Sequence, residues 1–304
     1  MLPTVLADLH RHLDGSLRPS TLAALAAKEG TTVPSDLLFR AGMGLGEALA
    51  RFAFTLSLLQ RPPEVERIAR EMCEDAAADD VTTLEIRFAP QLHEGAPMEA
   101  IVDAALEGIA GRAGLVLCGL YGEPTSTLER LVTIAETRPG VSGIDLAGGP
   151  APAHTVRLED YAAPFRRAAD LGIGRTVHAG EGRPAHEIRV AIERLHAQRI
   201  GHGTTLLDDE SIVDLVLARG VVIEACPTSN VHTGVIPSVD GHPLPRWLAR
   251  GVRACINTDN TLLSDVSARE EHARVARIPG MTDALVARAI ATGHAARFDR
   301  RGAT

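Results

Sequence analysis

Apolar residues along this chain of 304 residues recur in two patterns, short continuous runs and longer segments with helical spacing. The short runs are rich in Val, Ile and Leu, which is typical of strands buried on both faces of a parallel sheet. The longer segments repeat apolar residues three and four positions apart, as amphipathic helices do. The predicted strands span residues 4–10, 81–89, 114–120, 141–146, 174–178, 199–203, 221–226 and 252–256.

Segments of helical spacing separate these strands. Helices are predicted at residues 20–28, 46–59, 62–78, 98–111, 128–136, 161–171, 186–196, 210–219 and 244–250, with further helices within 268–298. Eight strands separated by helices is the count of a (β/α)8 barrel. We therefore predict an α/β fold of the TIM type, with extra helices after strand one and at the C-terminus. Because no linker, low-complexity run or repeat interrupts the pattern, residues 1–304 are expected to form a single domain.

Composition narrows the function classes. Hydrophobic residues make up 45% of the chain, and the net charge is −8. An acidic chain without a basic face is not typical of nucleic-acid binding. The N-terminus has neither a positively charged region nor a long apolar run, so we expect no signal peptide and no membrane helix. The four cysteines form no CxxC pair, which favours a cytoplasmic location.

Histidine and carboxylate residues follow the predicted strands at matching ends. His10 and His12 follow strand one, His178 ends strand five, His202 ends strand six and Asp259 follows strand eight. These ends meet at the C-terminal mouth of a (β/α)8 barrel. Residues two apart on a strand share a face, so His10 and His12 project together. Asp14 would join them if the strand extended that far.

This set of side chains indicates metal-assisted hydrolysis. Three neutral imidazoles and one carboxylate suit Zn²⁺ and leave a position for water, whose pKa zinc lowers towards ~7. A further histidine at the site could orient or deprotonate that water. Gly180 allows a sharp turn after His178, so Glu181 is expected to point back over the mouth, where its carboxyl could transfer a proton. We predict hydrolytic attack on an electrophilic carbon.

Two further features lie on strand two and at the end of strand four. Glu85 and Arg87 share one face of strand two, and we expect them to form an ion pair inside the barrel. Strand four ends in Ala147, Gly148, Gly149 and Pro150, a backbone that a ligand can approach closely, although an ordinary turn explains it equally well.

Six motifs, in order from strand one to strand eight, resemble those of adenosine deaminases of the zinc amidohydrolase superfamily. They are HRHLDG at residues 10–15, DLAG at 145–148, HAGE at 178–181, IGHG at 200–203, CPTSN at 226–230 and NTD at 257–259. The resemblance implies zinc-dependent hydrolytic deamination of adenosine or deoxyadenosine, or of a closely related 6-aminopurine nucleoside, to the inosine-type product and ammonia. It implies one zinc ion per chain and a small-molecule purine nucleoside as substrate, with no nucleic-acid or membrane partner.

The resemblance also assigns roles to individual residues. It implies that zinc is bound by His10, His12, His178 and Asp259. Glu181 would donate a proton to purine N1, and His202 would hold the attacking hydroxide. The residues implied to contact the substrate are Asp14 at the ribose, Gly148 and Asn260 at the purine, and Leu49 and Phe52 in an apolar lid.

Departures from the family pattern leave the substrate open. Asn260 stands where a second aspartate is common, Gly149 and Pro150 replace an acidic pair, and Tyr121 lies at the end of strand three, where an arginine is often found. The alternatives are a modified adenosine, such as aminodeoxyfutalosine or a 5′-modified adenosine, and adenine. A site with two metals and a bridging lysine is disfavoured, since the only lysine, Lys28, lies in an early helix. A non-catalytic purine- or metal-binding barrel is the remote alternative, and the oligomeric state is not indicated.

Overall fold

The computed structural model describes residues 5–149, 151 and 153–299. Eight parallel strands within these residues follow one another around the sheet in chain order. They are β1 (Leu6–His12), β2 (Val81–Phe88), β3 (Gly114–Leu120), β4 (Val141–Ala147), β5 (Gly174–Ala179), β6 (Arg199–His202), β7 (Val222–Ala225) and β8 (Arg253–Ile256). Asp259, just beyond β8, joins the sheet to β1: its N–H donates to the His10 carbonyl at 2.8 Å, and its carbonyl accepts from the His12 N–H at 2.7 Å.

Twelve α-helices in the described part of the chain surround this barrel. They are α1 (Pro19–Lys28), α2 (Leu45–Ser57), α3 (Pro62–Ala78), α4 (Met98–Ile109), α5 (Thr125–Glu136), α6 (Ala162–Asp170), α7 (His186–Glu193), α8 (Glu210–Arg219), α9 (Pro227–His232), α10 (Leu244–Ala249), α11 (Ala268–Val275) and α12 (Asp283–Ala296). The helices α1 to α3 lie between β1 and β2, and α11 and α12 follow β8. The predicted (β/α)8 class is therefore confirmed, with extra helices in both expected places. Among the described helices, none combines the length and apolarity needed to cross a bilayer.

The strand β2 alternates between an apolar outer face and a charged inner face. On β2, Ile86 and Phe88 are fully buried in the apolar core that the strands share with the helices. Arg87 lies between them in sequence and points into the barrel, where it contacts residues of β1, β4 and β7. This alternation is the two-residue period of a strand. Barrel interiors are commonly filled by Val, Ile and Leu, so a charged interior has to be held by internal pairing.

The ion pairs inside the barrel differ from the predicted one. Arg87 donates to Asp145 Oδ2 at 2.8 Å and to Glu224 Oε2 at 2.9 Å, whereas Glu85 pairs with Arg199. The prediction that Glu85 and Arg87 pair with each other is therefore wrong. Same-face neighbours on one strand are ~7 Å apart along the chain, while the narrow interior brings opposite charges on other strands within hydrogen-bonding distance.

Two local predictions also need correction. The predicted first strand began at Thr4, which lies outside the described residues, and β1 continues to His12. Its pairing with Asp259 ends there, and the chain turns at once into a 3₁₀ helix, Leu13–Gly15. Asp14 therefore does not lie on an extension of the strand. The helix α9 was not predicted, although proline in its first turn is well suited to starting a helix.

Candidate active site

Four of the predicted site residues converge at the C-terminal mouth. His10 Nε2 lies 3.1 Å from His178 Nε2, and His12 Nε2 lies 3.4 Å from the same atom. Asp259 Oδ1 lies 3.7 Å from His10 Nε2 and 3.4 Å from His12 Nε2. The Ser229 hydroxyl donates to the other oxygen, Asp259 Oδ2, at 2.5 Å, which leaves Oδ1 to face the histidines.

These separations fit one metal ion. Ligand atoms that surround zinc tetrahedrally at ~2.1 Å are ~3.4 Å apart, and the four distances given above, 3.1–3.7 Å, bracket this value. Within the described residues, His10, His12 and His178 form one cluster able to hold a metal, and His10, His202 and Asp259 form an overlapping one. The donor set of imidazoles and a carboxylate suits Zn²⁺. The mouth is therefore a candidate metal-binding site.

Carboxylates behind two of these histidines direct their rings. His10 Nδ1 lies 2.6 Å from Glu224 Oε2, and His178 Nδ1 lies 3.2 Å from Asp145 Oδ1. A histidine that donates through Nδ1 to a carboxylate presents the lone pair of Nε2 to a metal. Arg87 bonds to both carboxylates, so one guanidinium links the supports of both rings. Burial is the largest effect on the pKa of His10 and lowers it well below its usual value, which favours the neutral ligand form.

His202 and Glu181 lie beside this cluster. Gly180 has a φ of 67°, in the left-handed region that favours glycine, and the turn brings Glu181 over the mouth as predicted. Glu181 is 5% exposed, and burial raises the pKa of its carboxyl. Burial has the opposite effect on the imidazole of His202 and lowers its pKa to about 3. His202 and Asp259 have φ values of 67° and 63°, unusual for residues other than glycine, which is backbone strain of the kind found at functional sites.

A cavity of about 350 Å³ opens above these groups. Every predicted site residue lines it or supports it. Its wall includes His12, Asp14, Leu49, Phe52, Gly148, His178, Glu181, His202, Asp259 and Asn260, and His10 lies buried beneath. One buried oxygen of Asp14 (Oδ1) and one of Asn260 (Oδ1) have no hydrogen-bond partner within the described residues. Buried polar atoms are rarely left unpaired, so a polar ligand is expected beside them. Pro150, named in the sequence analysis, lies outside the described residues.

Sequence reasoning missed several residues that contact the site. Asn230 Nδ2 donates to His202 Nδ1 at 3.0 Å, and the Thr233 hydroxyl donates to Glu181 Oε1 at 3.2 Å. Asn230 ends the CPTSN motif and Thr233 follows it. The position of this motif after strand seven was the indication in the sequence that these residues contact the site. Arg183 donates to the His178 carbonyl at 2.9 Å and lies over the ring of Tyr121. A guanidinium therefore does lie at the end of β3, but it comes from the β5–α7 loop.

The fold and the site define a (β/α)8 barrel with a candidate metal site and a buried carboxyl at its C-terminal mouth. The family model "Adenosine deaminase" matches residues 5–299. An adenosine deaminase from Clostridium acetobutylicum is 35% identical over 296 residues, which cover 91% of this chain and 87% of that protein. The chain belongs to the adenosine deaminase family, as the motifs indicated, and is a hydrolytic deaminase.

Solved structures give the same fold with different substrates. The adenine deaminase from Arthrobacter aurescens superposes with a TM-score of 0.87 at 26% identity, over 96% of this chain and 93% of that one. The N6-mAMP deaminase from arabidopsis superposes with a TM-score of 0.86 at 25% identity, over 97% and 93%. Since these relatives act on a free base and on a nucleotide, family membership alone leaves the substrate of this chain open.

Proposed function

We propose that the protein hydrolytically deaminates a 6-aminopurine nucleoside, adenosine or deoxyadenosine, to the inosine-type product and ammonia. One observation carries the proposal: three candidate zinc ligands, a carboxyl with a raised pKa and an imidazole line one cavity, and the fourth candidate ligand, His10, lies buried directly beneath it. In this proposal one zinc ion per chain is held by His10, His12, His178 and Asp259. When bound, it supplies Lewis acidity that lowers the pKa of water and stabilises developing negative charge.

The remaining groups provide proton transfer and orientation. Hydrolysis requires water to add at C6 of the purine, which disrupts the aromatic ring. A protonated Glu181 donates to N1 and so makes C6 electrophilic, and burial favours this protonated form by raising the pKa of Glu181. His202, on the same cavity wall, orients the attacking oxygen. Of the two protons that the water loses, one returns to Glu181 and the other goes to the amino group, which leaves the tetrahedral carbon as ammonia.

The cavity wall supports a nucleoside rather than a bare base. Asp14 Oδ1 is buried without a partner in the described part of the chain, and a ribose hydroxyl could donate to it. Gly148, with a φ of 74°, offers its backbone to the purine, and Asn260 offers an amide. Leu49 on α2 is 46% exposed and Phe52 is half-buried, as expected for an apolar cover over a bound ring. We also propose that the chain forms a single domain. We further propose a cytoplasmic location, since the four cysteines are free and buried.

A panel assay tests this proposal. Ammonia release is measured with zinc-loaded protein on adenosine, deoxyadenosine, a 5′-modified adenosine, aminodeoxyfutalosine and adenine. We expect adenosine or deoxyadenosine to give the highest kcat/KM. A modified adenosine or adenine as the best substrate would replace the proposed one within the same reaction class. If zinc-loaded protein released ammonia from none of them, the proposal would be wrong. Metal analysis should give about one zinc per chain, lost on His178→Ala.

A further inference from the structure

A chain of hydrogen bonds leads from a backbone N–H to the imidazole of His202. The Leu244 N–H lies 3.1 Å from His242 Nδ1, and a backbone N–H can only donate. His242 Nδ1 is therefore the acceptor, so a neutral His242 carries its proton on Nε2. Burial lowers the pKa of His242 to about 3, which keeps this ring neutral, and its ring packs edge-on against Trp247.

The next bond fixes the orientation of the Asn230 amide. His242 Nε2 lies 3.3 Å from Asn230 Oδ1, and its proton requires an acceptor there. The amide nitrogen, Nδ2, must then point the other way. It lies 3.0 Å from His202 Nδ1 and 3.4 Å from Glu181 Oε1. An ionised Glu181 favours the same orientation, because a flipped amide would direct oxygen at oxygen.

The last bond sets the proton position on His202. An amide NH2 only donates, so His202 Nδ1 has to accept. We infer that Asn230, held by His242, fixes His202 as the tautomer protonated on Nε2 and thereby makes His202 a hydrogen-bond donor towards the cavity. Asn230 and His242 are positioning residues, since they act through His202. A doubly protonated His202 would set its Nδ1–H against the amide N–H, which the same geometry disfavours.

This proton position decides whether His202 donates a hydrogen bond to the attacking oxygen or accepts a proton from it. This consequence for the reaction rests on the proposed function. An imidazole with a proton on Nε2 donates a hydrogen bond to the attacking oxygen and does not remove a proton from it. The proton that water loses therefore leaves through another group, and the carboxylates of Glu181 and Asp259 line the same cavity.

The two carboxyl oxygens of Glu181 also differ in their hydrogen bonds. Its Oε1 accepts from the Thr233 hydroxyl at 3.2 Å and lies 3.4 Å from Asn230 Nδ2. With two donors at Oε1, a proton on Glu181 resides on Oε2. Asn230 thus directs the proton-bearing atoms of both His202 and Glu181 away from itself.

Nitrogen NMR of the zinc-loaded protein labelled with ¹⁵N-histidine tests the inference without relying on activity. Long-range ¹H–¹⁵N correlations distinguish protonated from unprotonated ring nitrogens, and His202→Gln identifies the His202 signals by their loss. We expect His202 to be protonated on Nε2 and unprotonated on Nδ1. The opposite tautomer would overturn the inference. If the protein deaminated none of the purines but showed the expected tautomer, only the proposed function would fail.

Two variants test the positioning roles. Asn230→Asp replaces the donor with an acceptor of the same shape, so we expect the His202 proton to move to Nδ1. The cavity then loses a donor, and kcat should fall by the ~10²–10³-fold typical of removing one such group, with zinc content unchanged. Gln198→Glu makes the same amide-to-acid change at an exposed position just before β6, at the opposite end of the barrel, and should leave kcat unchanged. An Asn230→Asp variant with normal kcat would contradict the role of Asn230.

The second pair separates hydrogen bonding from packing at residue 242. His242→Gln keeps a donor that can reach Asn230 Oδ1, whereas His242→Leu removes it. The glutamine variant should retain the His202 tautomer and most of kcat, and the leucine variant should show mixed tautomers and a lower kcat. Equal behaviour of the two variants would contradict the role of His242. This pair also keeps the inference testable if Asn230→Asp fails to fold.

Discussion

The mouth of the barrel and the charged interior below it both bury carboxylates, but they differ in how completely these are bonded. In the interior, Asp145 accepts from Arg87 and His178, and Glu224 accepts from Arg87, His10 and Thr176. At the mouth, Asp14 Oδ1 and Asn260 Oδ1 have no partner among the described residues. An unpaired buried polar atom costs ~1–3 kcal/mol. Asp14 bears this cost at the mouth, whereas both oxygens of Asp145 and of Glu224 are bonded in the interior, where Arg87 Nε, unpaired within the described residues, belongs to the cation and not to a carboxylate.

This contrast separates stability from function. Paired interior charges hold the rings of His10 and His178, and removing one partner leaves another charge buried alone. The unpaired atoms of the mouth make no hydrogen bond to the described residues of the ligand-free protein, so replacing their side chains removes no such bond until a ligand is bound. Substitutions in the interior should therefore reduce stability and metal binding together, and those at the mouth should reduce activity while stability is kept or increased.

The largest effect is expected for Glu181→Gln at the mouth. The amide keeps the shape but cannot supply the proton to N1, so kcat should fall by ~10²–10⁴-fold, as for other general acids. Zinc content and the unfolding midpoint should stay close to those of the unmodified protein. Glu193→Gln, on the exposed face of α7, is the matched control for steady-state kinetics. Near-normal turnover by Glu181→Gln would remove this residue from the mechanism.

The interior counterpart is Arg87→Met. This change leaves Asp145 and Glu224 buried without their shared cation, and we expect ~3–5 kcal/mol of destabilisation in urea unfolding. Zinc affinity should also fall by ~10–100-fold, because the carboxylates that orient two ligands lose their support. Arg130→Met removes an exposed pair with Glu99 and should cost less than ~1 kcal/mol. Similar losses for both variants would contradict the contrast between the two regions.

A smaller effect, confined to one substrate, is expected for Asp14→Asn. If Asp14 binds a ribose hydroxyl, kcat/KM for adenosine should fall by up to ~10²-fold, since one charged hydrogen bond is worth ~1.5–3 kcal/mol. Adenine has no ribose, so any turnover of adenine should change little. Asp214→Asn, on the exposed surface of α8, is the control for the chemical change itself. An equal loss of kcat/KM for adenosine and adenine would show that Asp14 does not bind the ribose.

Asp14 should also produce a pH-dependent difference in stability. Burial raises the pKa of this carboxyl from 3.8 to about 6 in the metal-free fold, with the Asp259 charge adding to the effect. Its contribution to stability is fully present below pH 3.8 and is lost as the pH rises through about 6. Metal-free Asp14→Asn should therefore gain up to ~3 kcal/mol on the unmodified protein between pH 4 and 7. Parallel stability–pH curves would contradict this.

The sequence predicted the fold and the identity of the mouth residues because both depend on local rules. Strand periodicity located the strands and their ends, and (β/α)8 topology brings those ends together. The candidate metal ligands, Glu181 and His202 thus follow from where each strand ends. The turn after His178 was also predictable, since Gly180 permits the positive φ that it requires.

What the sequence did not predict depends on contacts between distant residues. The partners of Glu85 and Arg87 were missed because a strand pattern gives the face of a side chain and not the residue opposite it across the barrel. Arg183 was missed at the end of β3 because its guanidinium reaches there from another loop. The role of Asn230 depends on His242, and no spacing rule indicates that their side chains meet.

A crystal structure of the zinc-loaded protein with inosine would test the central claim most directly, namely that the mouth is completed by a metal and a purine nucleoside. We predict one anomalous zinc peak within ~2.0–2.2 Å of His10, His12, His178 and Asp259. We also predict a ribose hydroxyl within ~3 Å of Asp14 Oδ1, so that the unpaired oxygen is satisfied. Zinc elsewhere, or inosine bound with Asp14 facing no sugar hydroxyl, would contradict the account.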